Sequence, residues 1–350
     1  MKKIIFSICL AALAVGCTKT EVNYGATDQI AFAPVASNVT KAAVQSGAPG
    51  CNLIVSANAG LDGNDTNTTV DISECTELYF NNVEFTGTTA YTAQGYFWPN
   101  VKYLTFAGIT KSAGVNVEKV TMDVDANSIV ITDYPQQPVG TVDNDLMWFA
   151  STTPTGKTNN AISVEMKHAC SWLVLNFYGD ETAGNTVRPW NITKVTLNDL
   201  SDKETVTLSD AAVWTTSGTK NQDLVVYENA TGIGMQQSTF FTPSINGIIV
   251  IPQKPTTISV TYNYLSQGIN TTDKTSDDIT IEETATVELN FDGTANQSNT
   301  WSNWAAGKKY TYDIKLTATG IKIAPTASSW VDYDADGNNT NGNQSIPGTI

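Results

Sequence analysis

The chain has 350 residues, 41% hydrophobic and only 15% charged, enough apolar material for real cores and more than one globular core normally holds. Nineteen basic residues stand against 34 acidic ones, and Arg188 is the single arginine, so no basic stripe for a phosphate backbone can be built and nucleic acid is excluded as a partner. One histidine, His168, removes every mechanism that needs two imidazoles, the common His-rich zinc sites included.

Met1-Lys2-Lys3 is a basic opening, and residues 4–15 form an apolar run too short for a bilayer core, which takes ~20 residues. Residues 1–16 therefore read as an export signal. The run ends Leu13-Ala14-Val15-Gly16-Cys17, small residues leading into a cysteine that polar Thr18-Lys19-Thr20 follows, the form of a bacterial lipobox. Cutting before Cys17 would put diacylglycerol on its thiol and tie the chain to a membrane by lipid; an ordinary secretory signal cut nearby is the simpler alternative. Losing Lys2 and Lys3 takes the formal charge from −15 to −17. Cys51, Cys75 and Cys170 then remain, an odd set that permits one bridge. Cys51 with Cys75 is the natural pair, because both sit in one stretch around a turn-rich segment and neither has CxxC spacing.

Segments with two-residue periodicity or β-branched enrichment then follow one another: 30–32, 53–56, 78–85, 91–98, 102–106, 128–132 and 146–150. Residues 71–77 suit a short capped helix. The polar run 151–160 is the best linker by composition, with 179–189 as its rival, and it divides the mature chain into 17–155 and 156–350. Residues 161–178 read as one long strand, with Ile162, Val164, Met166, His168, Cys170, Trp172 and Val174 on one face. Further strands are expected at 192–197, 204–208, 224–227, 248–251, 258–265, 279–291, 309–316 and 321–324. Many short strands with frequent turns predict an all-β chain of two tandem antiparallel β-sandwich domains, with no helix of consequence.

Catalytic patterns are missing from the sequence: there is no G-x-S-x-G, no H-E-x-x-H and no Walker loop. His168 sits among apolar neighbours and reads as a hydrogen-bonded core residue; pairing with Cys170, two positions away on a strand, is the poorer alternative. Asp332, Asp334 and Asp336, followed by Gly337, begin like a calcium loop, but the twelfth position is Asn343 where a bidentate glutamate belongs, so a solvated Asx-rich turn competes with a metal site. Asp277-Asp278 and Glu282-Glu283 read as surface charge, with a glycosidase carboxylate pair assembled across strands as the alternative. Trp301, Trp304, Tyr96 and Trp98 are candidates to stack on sugars if exposed and core residues if not. The chain is read as a non-enzyme without cofactors.

Several blocks in a fixed order carry a resemblance to a family. After the lipobox come Asp28-Gln29-Ile30-Ala31-Phe32-Ala33 and Val39-Thr40-Lys41-Ala42, then Asp145-Leu146-Met147-Trp148-Phe149-Ala150 and Met166-Lys167-His168-Ala169. Val250-Ile251-Pro252-Gln253, Trp304-Ala305-Ala306-Gly307-Lys308-Lys309-Tyr310 and Trp330 complete the set. The chain resembles the fimbrillin-like lipoproteins of Bacteroidales, the subunits of type V pili, over nearly its whole length. That resemblance implies tandem transthyretin-like, Greek-key sandwiches and lipidation at Cys17, with the anchor in the outer membrane. It further implies a trypsin-like protease cutting after Lys41 to remove the strand bearing Ile30 and Phe32, and strand exchange with other pilin subunits, in which residues 321–331 could donate. Stalk, tip and anchor roles are not separated, and the adhesion ligand is unspecified. A surface lipoprotein that binds glycans is the alternative function.

Cys17→Ala should leave the protein unacylated and release it from the membrane fraction. Metabolic labelling with a fatty-acid analogue checks this, and unchanged labelling would refute the lipobox reading.

Overall fold

The computed structural model describes residues 28–36, 52–62, 71–88, 90–99, 102–123, 127–139, 145–151, 153–179, 191–216, 218–234, 241–243, 247–266, 279–289, 303–317 and 320–329. Within them the chain forms nineteen strands. The first nine are β1 (Gln29–Ala36), β2 (Leu53–Asp62), β3 (Glu77–Gly87), β4 (Tyr91–Phe97), β5 (Lys102–Thr110), β6 (Val120–Asp123), β7 (Ser128–Pro135), β8 (Met147–Ala150) and β9 (Ile162–His168). Then come β10 (Ser171–Gly179), β11 (Asn191–Ser201), β12 (Lys203–Leu208), β13 (Ala212–Thr216), β14 (Lys220–Gly234), β15 (Ile248–Val250), β16 (Thr257–Ser266), β17 (Ile279–Glu288), β18 (Lys308–Thr317) and β19 (Gly320–Ser329). The helix expected at 71–77 is a 3-10 turn over Ile72–Glu74, closed by the Asp71 carboxylate, which accepts from Ser73 N at 2.9 Å, and by Glu74 Oε2, which accepts from Asp71 N at 3.1 Å.

Strands β1, β4, β3, β2, β5, β8 and β9 hydrogen-bond in that order into a closed barrel. Alternation sends Leu53, Val55, Ala57 and Ala59 of β2 inward, where they meet Phe80 and Phe85 of β3, Phe106 of β5 and Val164 and Met166 of β9. The reverse side of β2 and β5 is not left to water. A four-stranded sheet in the order β13-β12-β7-β6 covers it, placing Val120, Ile129, Ile131, Val206 and Leu208 against Ile54, Ile109 and Trp148. Covered on both faces, β2 loses its alternation and reads as the unbroken apolar run Leu53-Ile54-Val55. Two further sheets, β15-β10-β18-β19 and β14-β11-β16-β17, enclose the second core between Leu173, Leu175, Phe177, Tyr312 and Ile314 on one side and Val195, Leu197, Ile258 and Val260 on the other.

The all-β, sandwich-based expectation therefore holds, with two parallel ladders among the antiparallel ones: β1 with β9 and β10 with β18. Other expectations are corrected. The run 161–178 is two strands, because β9 pairs with barrel strands β8 and β1 while β10 pairs with β15 and β18. Ala169 and Cys170 lie between them, and the inward phase flips from Val164 and Met166 to Leu173, Leu175 and Phe177, so His168, Cys170 and Trp172 do not share one face. The boundary expected at 155 and 156 falls inside the barrel. Residues 151–160 are the connection of the β8–β9 hairpin, with Thr155 exchanging backbone hydrogen bonds with Leu104, and β7 from before that point pairs with β12 from after it. Polarity marked a loop there, and a loop's composition says nothing of whether the strands it joins are partners. Strands β6 and β13 were not expected, being only four and five residues long.

Two glycines separate backbone strain from packing. Gly95, in β4, has φ +86 with open space where a Cβ would sit, whereas Gly247 has φ +72 and its Cβ would fall 1.4 Å from Trp172 Nε1. Gly95→Ala should cost about 1 kcal/mol of backbone strain, and Gly247→Ala about 3 kcal/mol or more because overpacking adds to it; urea denaturation midpoints of the two variants give the comparison.

Candidate functional site

The first strand, which the sequence singles out for removal, is bonded on both sides. Gln29-Ile30-Ala31-Phe32 alternates polar or small residues with large apolar ones, and the structure buries Ile30 and Phe32 completely. Phe32 sits edge-on to Phe85 at 5.0 Å and to Phe106 at 5.1 Å between ring centroids, with Phe149 tilted against it at 5.8 Å. Such edge-to-face sets fit the ring quadrupoles and make the Phe32 position an aromatic-lined socket. The shortness of β1 and the proline at Pro34 predict an edge strand. It is an interior one: its antiparallel ladder to β4 covers Gln29 to Phe32, and its parallel ladder to β9 runs from Phe32 opposite Ile162 to Ala36 opposite Met166.

The two ladders overlap only at Phe32. Beyond it, among the described residues, β1 is paired on the β9 side alone, which is where Pro34, lacking an N–H, is tolerated. On the β4 side, two steps of β1 from Gln29 to Ala31 face five of β4 from Phe97 to Thr92, and the excess is taken up as a bulge around Gly95. Gln29 Nε2 donates to Ala93 O at 3.0 Å across it. The entry of the strand is fixed by Trp98 N donating to Asp28 O at 2.7 Å and by an ion pair between Lys157 and the Asp28 carboxylate.

A second group explains His168. Met147 of β8 lies opposite His168 of β9, so the Asp145 carboxylate just before β8 meets the imidazole: His168 Nδ1 to Asp145 Oδ2 is 2.6 Å, with both side chains almost fully buried. A carboxylate only accepts, so Nδ1 carries the shared proton. Asp145 O also accepts from Thr110 Oγ1 at 3.0 Å, and Thr110 Oγ1 accepts from Met147 N at 2.8 Å. On the next pair out, Lys167 Nζ stands 4.6 Å over the Trp148 ring, a cation–π contact. Cys170 is no partner for His168. Burial, with the Asp145 charge nearby, pushes its thiol well above the ordinary range, which suppresses the thiolate that a nucleophile needs. The structure thus joins two separate sequence blocks, Asp145-Leu146-Met147-Trp148 and Met166-Lys167-His168-Ala169, into one hairpin. Sequence reading missed Asp145 as the histidine's partner; the signal was a lone carboxylate opening an apolar run.

Of the other candidates, Cys17, Lys41, Cys51, Arg188, Trp301, Trp330 and the aspartates Asp332, Asp334 and Asp336 lie outside the described residues. Cys75, the other half of the expected bridge, is buried, with its sulfur so close that a Cβ on Gly60 would come within 2.7 Å of it. The sugar-stacking candidates are corrected: Trp98 is a core residue edge-on to Phe106, and Trp304 is buried with Nε1 donating to Tyr312 Oη at 2.7 Å. Tyr96 is half-buried against Phe80 and Phe85. Among the described residues no group of three or more metal-ligating side chains comes together.

The family model described as fimbrillin-like matches residues 56–330, most of the chain. The chain belongs to the fimbrillin-like family. Its fold is similar to that of a fimbrial protein from Bacteroides vulgatus, with a TM-score of 0.56 at 13% identity over 87% of this chain and 99% of that one. More distant likenesses are to a protein assigned to cell adhesion from Bacteroides uniformis (TM-score 0.48, 14% identity, 88% and 100% covered) and to the C-terminally truncated tip fimbrial protein Mfa3 from Porphyromonas gingivalis (0.37, 11%, 86% and 100%). No curated protein matches the chain. Within this fimbrillin-like chain the Asp145–His168 pair is a joint between strands.

A double-mutant cycle on Asp145→Ala and His168→Ala should return a coupling of about 1–3 kcal/mol in urea unfolding, since either single change leaves a buried polar group without its partner. Additive losses would show that the two side chains do not act as a pair.

Proposed function

We propose that this chain is a structural subunit of a cell-surface fimbria, exported as a lipoprotein on Cys17 and made competent by removal of its first strand. The observation that carries the reading is the position of β1. Being hydrogen-bonded to β4 and β9 at once, and filling the barrel with Ile30 and Phe32, it would leave behind a slot with two unpaired backbone edges and an aromatic socket. A slot of that kind is closed by another extended segment with the same alternation, which is strand addition from another subunit. Membership of the fimbrillin-like family supports a fimbrial role, and Lys41 follows five residues after Ala36, so a cut there would release strand and lipid together. A trypsin-like enzyme is the matching protease class, because the residue is lysine.

The departure of β1 is opposed by the burial of two large apolar side chains, each contributing roughly 1.5–3 kcal/mol, and by both ladders. The cut strand should therefore stay in place until a replacement competes for the slot.

Limited trypsin on the folded protein should cut early at Lys41 while both cores survive, and the cut protein should then form ladders that persist in mild detergent. Uncut protein should remain monomeric. Resistance of Lys41 in the folded state, or cut protein that stays monomeric at high concentration, would remove strand exchange as the assembly route.

A further inference from the structure

The sheet that covers the barrel, β13-β12-β7-β6, has a second face. Its inward side chains, Ile129, Ile131, Val206 and Leu208, pack on the barrel, and alternation turns the residues between them outward. Thr121, Val130, Thr207 and Val213 stand in one row across the four strands, each paired with the next. Thr132, Thr205 and Thr215 form the row beside it, with Thr205 opposite Thr215. All of these are β-branched and none is charged, on a chain of net charge −15. Val213 is 53% exposed, an apolar side chain held in water. Rows of this kind suit a pleated surface that is half covered. Among the described residues, charge on this face is gathered at its two ends. Past Thr132, Lys119 and Lys203 share the Asp133 carboxylate, at 2.7 and 3.2 Å. Past Val130, at the other end, come Asp123 on β6 and Asp210 in the turn between β12 and β13.

We propose that this face docks on the same face of a second copy of the chain, sheet on sheet, about a two-fold axis that lies in the interface and runs across the strands. Such an axis sets each strand over its own counterpart in the opposite direction. The Val130 row of one copy then meets the Thr132 row of the other, with Val213 over Thr215, and the two sheets stack in the aligned manner of a sandwich. The ends meet with opposite charge: Lys119 of each copy comes over Asp123 of the other, and Lys203 over the turn that bears Asp210. A two-fold axis along the strands would instead bring Asp123 over the Asp210 turn, acid on acid, so charge selects the antiparallel arrangement. The face covers roughly 400 Å² on each copy, from strands ~4.8 Å apart rising ~3.4 Å per residue. That is well under the ~800 Å² per partner of a stable complex, so the dilute uncut chain stays monomeric and the contact forms where copies are held side by side at about millimolar effective concentration. β1 takes no part in it. The face is a lateral contact between copies, independent of strand exchange.

The test uses the uncut full chain carrying Cys17→Ala, so that neither lipid nor strand exchange contributes, and its outcome does not depend on whether cut protein polymerises. Sedimentation equilibrium should show mass rising toward that of a dimer as the concentration approaches about 1 mM. Val213→Glu should abolish the rise while leaving the urea midpoint near that of the parent, since the side chain is exposed. Lys119→Glu should weaken association about tenfold or more, and Lys119→Glu combined with Asp123→Lys should restore it. A chain with Val213→Cys mixed with a chain with Thr215→Cys and oxidised should yield a 213–215 linked peptide by mass spectrometry. A chain that stays monomeric at the highest concentration, or association untouched by Val213→Glu, would overturn the docking face. Association indifferent to Lys119→Glu, or not restored by the double exchange, would overturn the antiparallel arrangement.

Discussion

A seven-stranded barrel needs its seventh strand, and here that strand is reached by only eight residues at the start of the described chain. β1 is bonded on both sides, so the closure of the barrel, the burial of Phe32 among Phe85, Phe106 and Phe149, and the satisfaction of edge groups on β4 and β9 all rest on one short segment. An open barrel would present two unpaired edges and an unfilled interior at once, which is a costlier state than the loss of any peripheral strand. The other devices around it serve the same closure. The bulge at Gly95 lets β4 keep pace with a shorter partner, and the Asp28–Lys157 ion pair with the Trp98 amide holds the strand's entry.

The second constraint is the passage from barrel to sandwich at Ala169 and Cys170. The chain changes sheets there within two residues, and the backbone groups that neither sheet can pair are met one by one. Ala169 N donates to Leu146 O, Trp214 Nε1 donates to Ala169 O, and Gly307 N donates to Cys170 O, at 2.7 to 2.9 Å. Partners thus come from the barrel, from the covering sheet and from the approach to β18. The covering sheet itself draws β6 and β7 from one side of the passage and β12 and β13 from the other, so the core around Ile54, Ile129, Val206 and Cys170 ties the halves together.

Strand-by-strand content was legible in the sequence because alternation is local: Ile30 and Phe32, Tyr310, Tyr312 and Ile314, and Val195 and Leu197 announce their inward faces from spacing alone. Partnership was not, because it depends on residues far apart. Nothing local in residues 161–178 shows that pairing changes at Cys170, since apolar residues continue on both phases. Nothing around 151–160 shows that the flanking strands are neighbours, and nothing before Ile30 shows that its strand has a parallel neighbour 130 residues on, at Ile162. The candidate site was half legible for the same reason. The burial of Ile30 and Phe32 followed from pattern, as did a hydrogen-bonded core His168, while the edge placement of β1 did not survive pairing and the histidine's partner Asp145 was not legible. Trp98 and Trp304 taught the converse lesson: a tryptophan in a turn-rich segment is as ready to plug a core as to face a ligand.

The two parallel ladders share a covalent line. β9 lies beside β1, runs through Ala169 and Cys170 into β10, and β10 lies beside β18, which pairs in turn with β19. Tension applied along a strand seated beside β9 meets its backbone hydrogen bonds broadside, so that they resist in shear together instead of peeling one after another. The same tension passes down the polypeptide into β10 and is shared sideways with β18 over eight residue pairs, from Trp172 with Lys309 to Gly179 with Leu316. Load on β1 thereby reaches β18 and β19 along one continuous line of paired strands.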